Sequence, residues 1–489
     1  MRAVLGLDIG TSSTKALLAR FDGTVIAEVG RRHEVDRPEQ GLVEMDAAVW
    51  WDEFTALTRE LLERVPDAEV EAVGVSGIGP CVLLTDDDGE PLRPAILYGV
   101  DTRTAEMLPA VTAELGGEEA IRSRCGSALS TQAAGVKLAW VARHEPDVWA
   151  RAARFTMPSS RVVELLTGEY VLDHHSASQC TPLYDVHEET WIDAWCEQLA
   201  PGLAMPRLVW SGDRAGTVTA AAAAATGLPA GIPVTAGTID AWAEGVSVGA
   251  AVPGRMFLQY GTTMFMIAPT DEPVSVPGMW TTVGTRPGQP SVAGGMATSG
   301  AITDWLRRLV DGEWSTMLEE ARCAGIGAHG LLMLPYFAGE RTPIADPDAR
   351  GVIAGLTVRH TRGDLYRATL EATAYAVRHN VEVLREAGVE VHELVGAGGG
   401  LLGRLWPTIV SDVTGLPQTV PSVTIGACYG SAFLAAGLVE DVDVTAWNPP
   451  AARIEPDPAA TAAYEPGYRD YRELYEATKA VVHRLAARG

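Results

Sequence analysis

The first thirty residues alternate short apolar runs with small polar turns. That pattern predicts strands over 4–9, 14–19 and 24–29, the last entered through Asp22-Gly23. Together they make a three-stranded meander. Between 46 and 64 the period changes, and Val49, Trp50, Phe54, Leu57, Leu61 and Leu62 recur at helical spacing. Strands return over 70–76 and 82–85, the second closed by Asp86-Asp87-Asp88-Gly89. This alternation predicts a mixed α/β layer. Residues 104–197 read as mainly helical with loops, including a helix beginning near Ala134. Their extent suits an insertion that shapes a cleft rather than a separate domain.

A later strand over 231–238 is followed directly by Asp240, and a helix starting at Ala241 would turn its amino end to the same cleft. The second half reopens with strands over 255–260 and 264–268 around the turn Gly261-Thr262-Thr263. That repeats the opening strand-turn-strand design, although the residues themselves are too different to establish duplication. At 489 residues the chain exceeds one hydrophobic core, and the expected division is 1–246 and 247–489. Farther on, 365–387 is a long helical segment, and 391–395 a strand that runs into Gly396-Ala397-Gly398-Gly399-Gly400 before a helix over 401–413. Residues 449–470 are rich in Pro, Asp and Ala and read as a surface excursion, with 471–487 as the closing helix.

The turn Asp8-Ile9-Gly10-Thr11-Ser12 carries the first chemical signal. It lacks the Gly-Lys-Ser/Thr ending of a Walker A loop and the Gly-x-Gly-x-x-Gly of a dinucleotide fingerprint. A hairpin turn with small residues still offers backbone amides to phosphate oxygens, and Asp8 can anchor hydrated magnesium; an ordinary hairpin turn is the competing reading. Asp240 is open to two readings as well, a carboxylate that receives a proton or a cap for the helix after it.

Acidic residues outnumber basic ones, 63 against 38, for a net charge of −25. Such a field argues against a nucleic-acid partner or an anionic membrane, and a small molecule is the expected partner. Six scattered cysteines form no close ligand pair, and the amino terminus has no secretory h-region, so cytoplasmic placement is expected. His174-His175 lacks a spaced ligand set and reads as solvent-facing, while Trp50-Trp51 reads as packing.

These segments acquire a common meaning with the run Pro335-Tyr336-Phe337-Ala338-Gly339-Glu340-Arg341-Thr342-Pro343, continued by Asp346-Pro347-Asp348-Ala349-Arg350-Gly351. With Lys137-Leu138-Ala139-Trp140, Leu166-Thr167-Gly168, and Gly398-Gly399-Gly400 before Trp406, the chain resembles the FGGY carbohydrate kinases over roughly residues 3–440. The resemblance implies an α/β fold of two ribonuclease H-like domains, related to actin and hexokinase, with the active cleft between them. It implies ATP-dependent phosphorylation of a sugar or polyol hydroxyl, the expected acceptor being a pentulose such as D-xylulose. Asp8, Gly10, Thr11 and Ser12 would face magnesium and polyphosphate; Gly261, Thr262 and Thr263 would form the opposing phosphate loop; Gly398, Gly399 and Gly400 would lie near adenosine. Asp240 becomes the catalytic base, and Asp101 and Arg103, within Tyr98-Gly99-Val100-Asp101-Thr102-Arg103, the substrate side. Glu340 and Arg341 are expected to support the cleft, or to pair as buried ions. A homodimer is compatible with the resemblance.

Two departures weaken the match to pentulose-phosphorylating members. Where those carry Gln-Met-His-Gly, this chain has Gly77-Ile78-Gly79-Pro80-Cys81 and is one residue shorter; where they carry Asp-Asn-Ala-Ala, it has Asp240-Ala241-Trp242-Ala243. Ribulose, another ketose, a polyol, or an ATP-binding sugar sensor therefore stay open as alternatives.

Overall fold

Each half of the chain is built on its own seven-stranded sheet. The structure is a computed structural model and describes residues 1–99 and 101–488, so that Val100 of the 98–103 segment lies outside the described residues. In the first sheet the spatial order is Arg214–Thr217, Pro233–Thr235, Glu69–Gly77, Arg2–Ile9, Ser13–Ala19, Val25–Arg32, with Thr238–Ile239 also paired to Glu69–Gly77. Arg2–Ile9 runs antiparallel to Ser13–Ala19 and parallel to Glu69–Gly77. The second sheet repeats this plan. Gly254–Tyr260 is antiparallel to Met264–Pro269 and parallel to Val391–Ala397, which in turn is parallel to Gln418–Pro421.

The first strand is apolar at nearly every position because both its faces are covered. Leu5, Leu7 and Ile9 join the core under helix Ala48–Arg64, together with Trp50, Phe54, Leu57 and Leu61. Val4 points the other way, with Leu17, Ala19 and Ala72, onto the helix Ala427–Ala436. This helix belongs to the second half of the sequence yet packs on the first sheet. Helix Asp240–Ser247 makes the reciprocal crossing, since Trp242 packs with Phe257, Ile267, Ala293 and Val395 of the second sheet. The two crossing helices touch each other at a glycine. A Cβ on Gly430 would stand 1.8 Å from the Ala243 carbonyl oxygen, and Cβ atoms on Gly6 and Gly74 would stand 2.0 Å from the Cys428 and Ser431 carbonyls. Backbone-to-backbone packing at these three positions locks the halves together about the cleft.

Most expected elements are present, and three differ. The sequence pattern marks no helix over Ala427–Ala436, because this Ala-rich stretch, apolar but for Ser431 and the Tyr429 hydroxyl, has no polar face to set a period. The helix expected over 401–413 is a short 3-10 turn, Gly399–Leu401, and then a helix Leu405–Thr414. The surface excursion expected over 449–470 is instead an edge strand, Pro450–Ile454, and the start of the closing helix, Pro458–Ala486. Asp457 caps that helix by accepting from Ala459 N–H at 2.9 Å. Pro466 and Gly467 look like breakers but sit inside it, held by the buried stripe Tyr464, Tyr468, Tyr471 and Tyr475. Tertiary packing outweighs local propensity there.

Candidate active site

Strand register brings the cleft residues to one edge of the first sheet. Asp8 and Ile9 lie opposite Ser76 and Gly77, which lie opposite Thr238 and Ile239, all in parallel. Three parallel strands therefore end together, and Asp8, the Ile78–Cys81 loop and Asp240 follow from their carboxyl ends, where open α/β sheets place ligands. The second sheet does the same. Gln259 lies opposite Ala397, which sets Gly398–Gly400 beside Tyr260 and the turn Gly261–Thr263.

The two turns share a backbone design. Gly10 N–H donates to Ser13 O at 2.9 Å, and Gly261 N–H to Thr263 O at 3.2 Å. Among the described residues the next two amides of each turn, Thr11 and Ser12, Thr262 and Thr263, have no intramolecular acceptor. Paired free amides on small residues suit phosphate oxygens. Gly398 has φ +93°, and a Cβ there would meet the Tyr260 carbonyl oxygen at 2.7 Å, whereas Gly399 faces open space. Trp406 closes the back of this glycine run, stacked edge-on to Tyr260 and donating from Nε1 to Thr373 Oγ1 at 2.8 Å.

Three carboxylates, Asp8, Asp240 and Glu244, lie close enough to act on one another. Burial, followed by repulsion from Asp8 and Glu244, pushes the Asp240 carboxyl well above the usual range. Asp8 is likewise pushed up by burial, against the opposing hydrogen bond from Ser76 Oγ at 2.9 Å and the charge of Lys15. Glu244, one helical turn after Asp240, is pushed up to about 7 by burial and by Asp8, although Gln259 Nε2 donates to it at 2.8 Å. Asp240 accepts Ala241 N–H at 2.8 Å on one oxygen, so the capping reading holds in part; its other oxygen has no partner among the described residues.

A cavity of about 440 Å³ is lined by Pro80, Tyr98, Gln132, Trp280 and Arg341, among others; Asp240 is not one of its lining residues. Arg341 donates from Nη2 to Met296 O at 3.0 Å and keeps Nε buried without a partner. Tyr98 is pushed up by burial, opposed by the charge of Arg341, with the charge of Asp240 adding to the rise. Gln132 Oε1 accepts Gly99 N–H at 2.6 Å. Lys137, fully buried, donates to Leu97 O at 2.8 Å and Pro80 O at 3.4 Å and so ties two cavity walls together.

Asp101 and Arg103 come together, but behind this wall. Asp101 is wholly buried; its oxygens accept from Val43 N–H at 2.8 Å and from the Arg103 guanidinium, which also reaches Glu44 at 2.9 Å. Neither residue lines the cavity. Glu340 and Arg341 do not pair through their side chains; Glu340 instead accepts from the Ala297 and Arg341 amides, each at 2.8 Å. His175 is not solvent-facing as expected: it is fully buried, with Nδ1 on Val283 O at 2.8 Å and its ring against Trp242, and His174 is stacked on Trp210. Sequence reasoning singled out neither Tyr98 nor Gln132 for the cavity, nor Glu244 for the carboxylate cluster. Glu244 alone had a legible signal, its spacing of four from Asp240 on one helix face.

No group of three or more His, Cys, Asp or Glu among the described residues is set to hold a metal ion by itself. Magnesium bound by one or two carboxylates, water and substrate phosphates needs no such cage, and the hard oxygens of Asp8 fit that mode. No helix among the described residues is long and apolar enough to cross a membrane.

Residues 3–246 match the N-terminal domain, and residues 256–438 the C-terminal domain, of the FGGY family of carbohydrate kinases. A crystal structure of xylulose kinase from Rhodospirillum rubrum superposes with a TM-score of 0.91 at 34% identity, covering 99% of this chain and 100% of that one. A xylulose kinase of Escherichia coli is 29% identical over 96% of this chain and 98% of its own length. A glycerol kinase of Nocardia farcinica is 32% identical over 89% of this chain and 90% of its own. The chain belongs to the FGGY family of carbohydrate kinases, two-domain α/β enzymes that carry out ATP-dependent phosphoryl transfer.

Proposed function

We propose that this kinase phosphorylates a pentulose, with D-xylulose the first acceptor to test. The observation that carries the reaction is Asp240, with one oxygen unpartnered, close enough to Asp8 to feel its charge, where Asp8 opens a turn whose Thr11 and Ser12 amides have no intramolecular acceptor. Support for the acceptor comes from the xylulose kinases that align with nearly the whole chain. The repeated strand order of the two sheets supports reading each as a ribonuclease H-like unit.

In this reading ATP lies with its phosphates between Gly10–Ser12 and Gly261–Thr263 and its adenosine near Gly398–Gly400. Magnesium, held by Asp8 and the phosphates, would supply charge neutralisation. The sugar occupies the cavity beside Tyr98, Gln132 and Arg341, while Asp101 and Arg103 order its wall. Asp240 orients the acceptor hydroxyl and takes its proton as the new O–P bond forms and the bond between the γ-phosphorus and the ADP oxygen breaks. Free turn amides stabilise the charge spread over the transferring group. Burial, and after it the charges of Asp8 and Glu244, raise the proton affinity of Asp240, which suits a base toward an alcohol.

Incubating purified protein with ATP, magnesium and a panel of pentuloses, hexuloses and polyols, with direct detection of the phosphorylated product, tests the acceptor. D-xylulose phosphate as the dominant product is expected. A hexulose, glycerol or ribulose product at higher kcat/KM would move the assignment to that acceptor, and ATP binding without any sugar phosphate would favour a sensor.

A further inference from the structure

His33 follows the third strand of the meander and reaches back to the first turn. Its Nε2 lies 3.0 Å from Gly10 O, its Nδ1 lies 2.9 Å from Glu53 Oε2, and its own backbone N–H donates to Ser12 O at 3.1 Å. Both side chains are enclosed, at 6% and 7% exposure. A carbonyl oxygen only accepts, so Nε2 carries the hydrogen of the contact with Gly10 O. Glu53, on helix Ala48–Arg64, holds the ring by its other nitrogen and so fixes the orientation that faces the turn.

A trans peptide is planar, with its C=O and the following N–H pointing in opposite directions. Pinning Gly10 O toward His33 therefore aims Thr11 N–H away from His33. Pinning Ser12 O does the same to Ser13 N–H. The Thr11 amide is one of those without an intramolecular acceptor. We infer that the His33–Glu53 pair is a positioning device that aims the Thr11 amide of the Gly10–Ser12 turn at the donor phosphates. This rests on the reading of that turn as the phosphate side. His33 touches neither substrate in this arrangement and acts only through the backbone it holds.

The test compares four variants, with KM for ATP and for the sugar measured separately and binding of ATP compared with that of adenosine. For His33→Leu, loss of one buried hydrogen bond to the turn is expected to raise KM for ATP roughly tenfold and leave KM for the sugar within about twofold. Binding of adenosine, which has no phosphate, is expected to stay unchanged. His33→Gln, whose amide nitrogen can reach Gly10 O, is expected to recover most of the loss. A folded His33→Leu protein with the wild-type KM for ATP, or a His33→Gln protein as impaired as His33→Leu, overturns the inference. If His33→Leu does not fold, Glu53→Leu takes its place: a selective rise in KM for ATP supports the inference and an unchanged value overturns it. Asp8→Asn separates the two levels. If it leaves ATP kinetics unaltered, the turn is not the phosphate side; if it impairs them while the His33 and Glu53 variants do not, only the positioning role fails.

Discussion

Gly430→Ala tests how firmly the crossing helices hold Asp240, the proposed base. Gly430 lies within helix Ala427–Ala436 at ordinary helical φ, so alanine there favours the helix by about 1 kcal/mol in itself. The new methyl would sit 1.8 Å from Ala243 O and 2.4 Å from its carbonyl carbon, where real contacts essentially never fall under 3.0 Å. Helices Ala427–Ala436 and Asp240–Ser247 must then part by more than an ångström. Neither can simply rotate away, because the first is pressed on Gly6 and Gly74 and the second on Phe257 and Ile267. Overpacking of this kind costs roughly 1–3 kcal/mol, enough to lower the melting temperature by several degrees. Asp240 rides on the first turn of the displaced helix, and a 1 Å misplacement of a reacting group costs about a hundredfold in rate. Differential scanning calorimetry and steady-state kcat/KM read the two effects. Gly437→Ala, at the end of the same helix, is the control, since its nearest contact would be 3.3 Å. A Gly430→Ala protein with wild-type melting temperature and kcat/KM would refute the backbone-contact argument.

Two further outcomes follow from the site. Glu244 has its folded pKa raised to about 7, so the stability it contributes is full while it is protonated, below the ordinary carboxylate range, and is lost as pH rises through about 7. Glu244→Gln is therefore expected to raise the melting temperature of the nucleotide-free protein at pH 8 and to change it little at pH 4; equal effects at both pH values would show that its charge is not strained by burial and by Asp8. Arg341 faces the cavity with Nε buried and unpartnered. Arg341→Met is expected to raise KM for the sugar by about tenfold or more while KM for ATP stays within about threefold, and a selective effect on ATP would place the guanidinium on the donor side.

The parts of this site that were legible in the sequence are those carried by local backbone chemistry. A small-residue turn after an apolar strand announces itself at Gly10–Ser12 and again at Gly261–Thr263, and a glycine run after a strand does so at Gly398–Gly400. What the sequence hid depends on distance. Asp101-Thr102-Arg103 looks like a polar cluster for a ligand, but Val43 and Glu44, nearly sixty residues earlier, take up its hydrogen bonds. His175 looks exposed until Val283 and Trp242 arrive from elsewhere in the chain. Glu53 reads as one acidic residue on an amphipathic helix, and only the fold sets it against His33. The helix Ala427–Ala436 escaped because it has no polar face, and it has none because it is wedged between a sheet and another helix.

Asp240→Asn, assayed for sugar phosphate and ADP in the same reaction, tests the proposed chemistry most directly. Wild-type protein is expected to form sugar phosphate and ADP in equal amounts and only when sugar is present. The variant is expected to lose about 10²–10⁴-fold in kcat while its affinity for ATP stays close to wild type, as removal of a general base requires. Near-normal sugar phosphate formation by a folded Asp240→Asn protein, or ADP formation by the wild type that does not depend on sugar, would contradict the assignment of Asp240 as the base of a carbohydrate kinase.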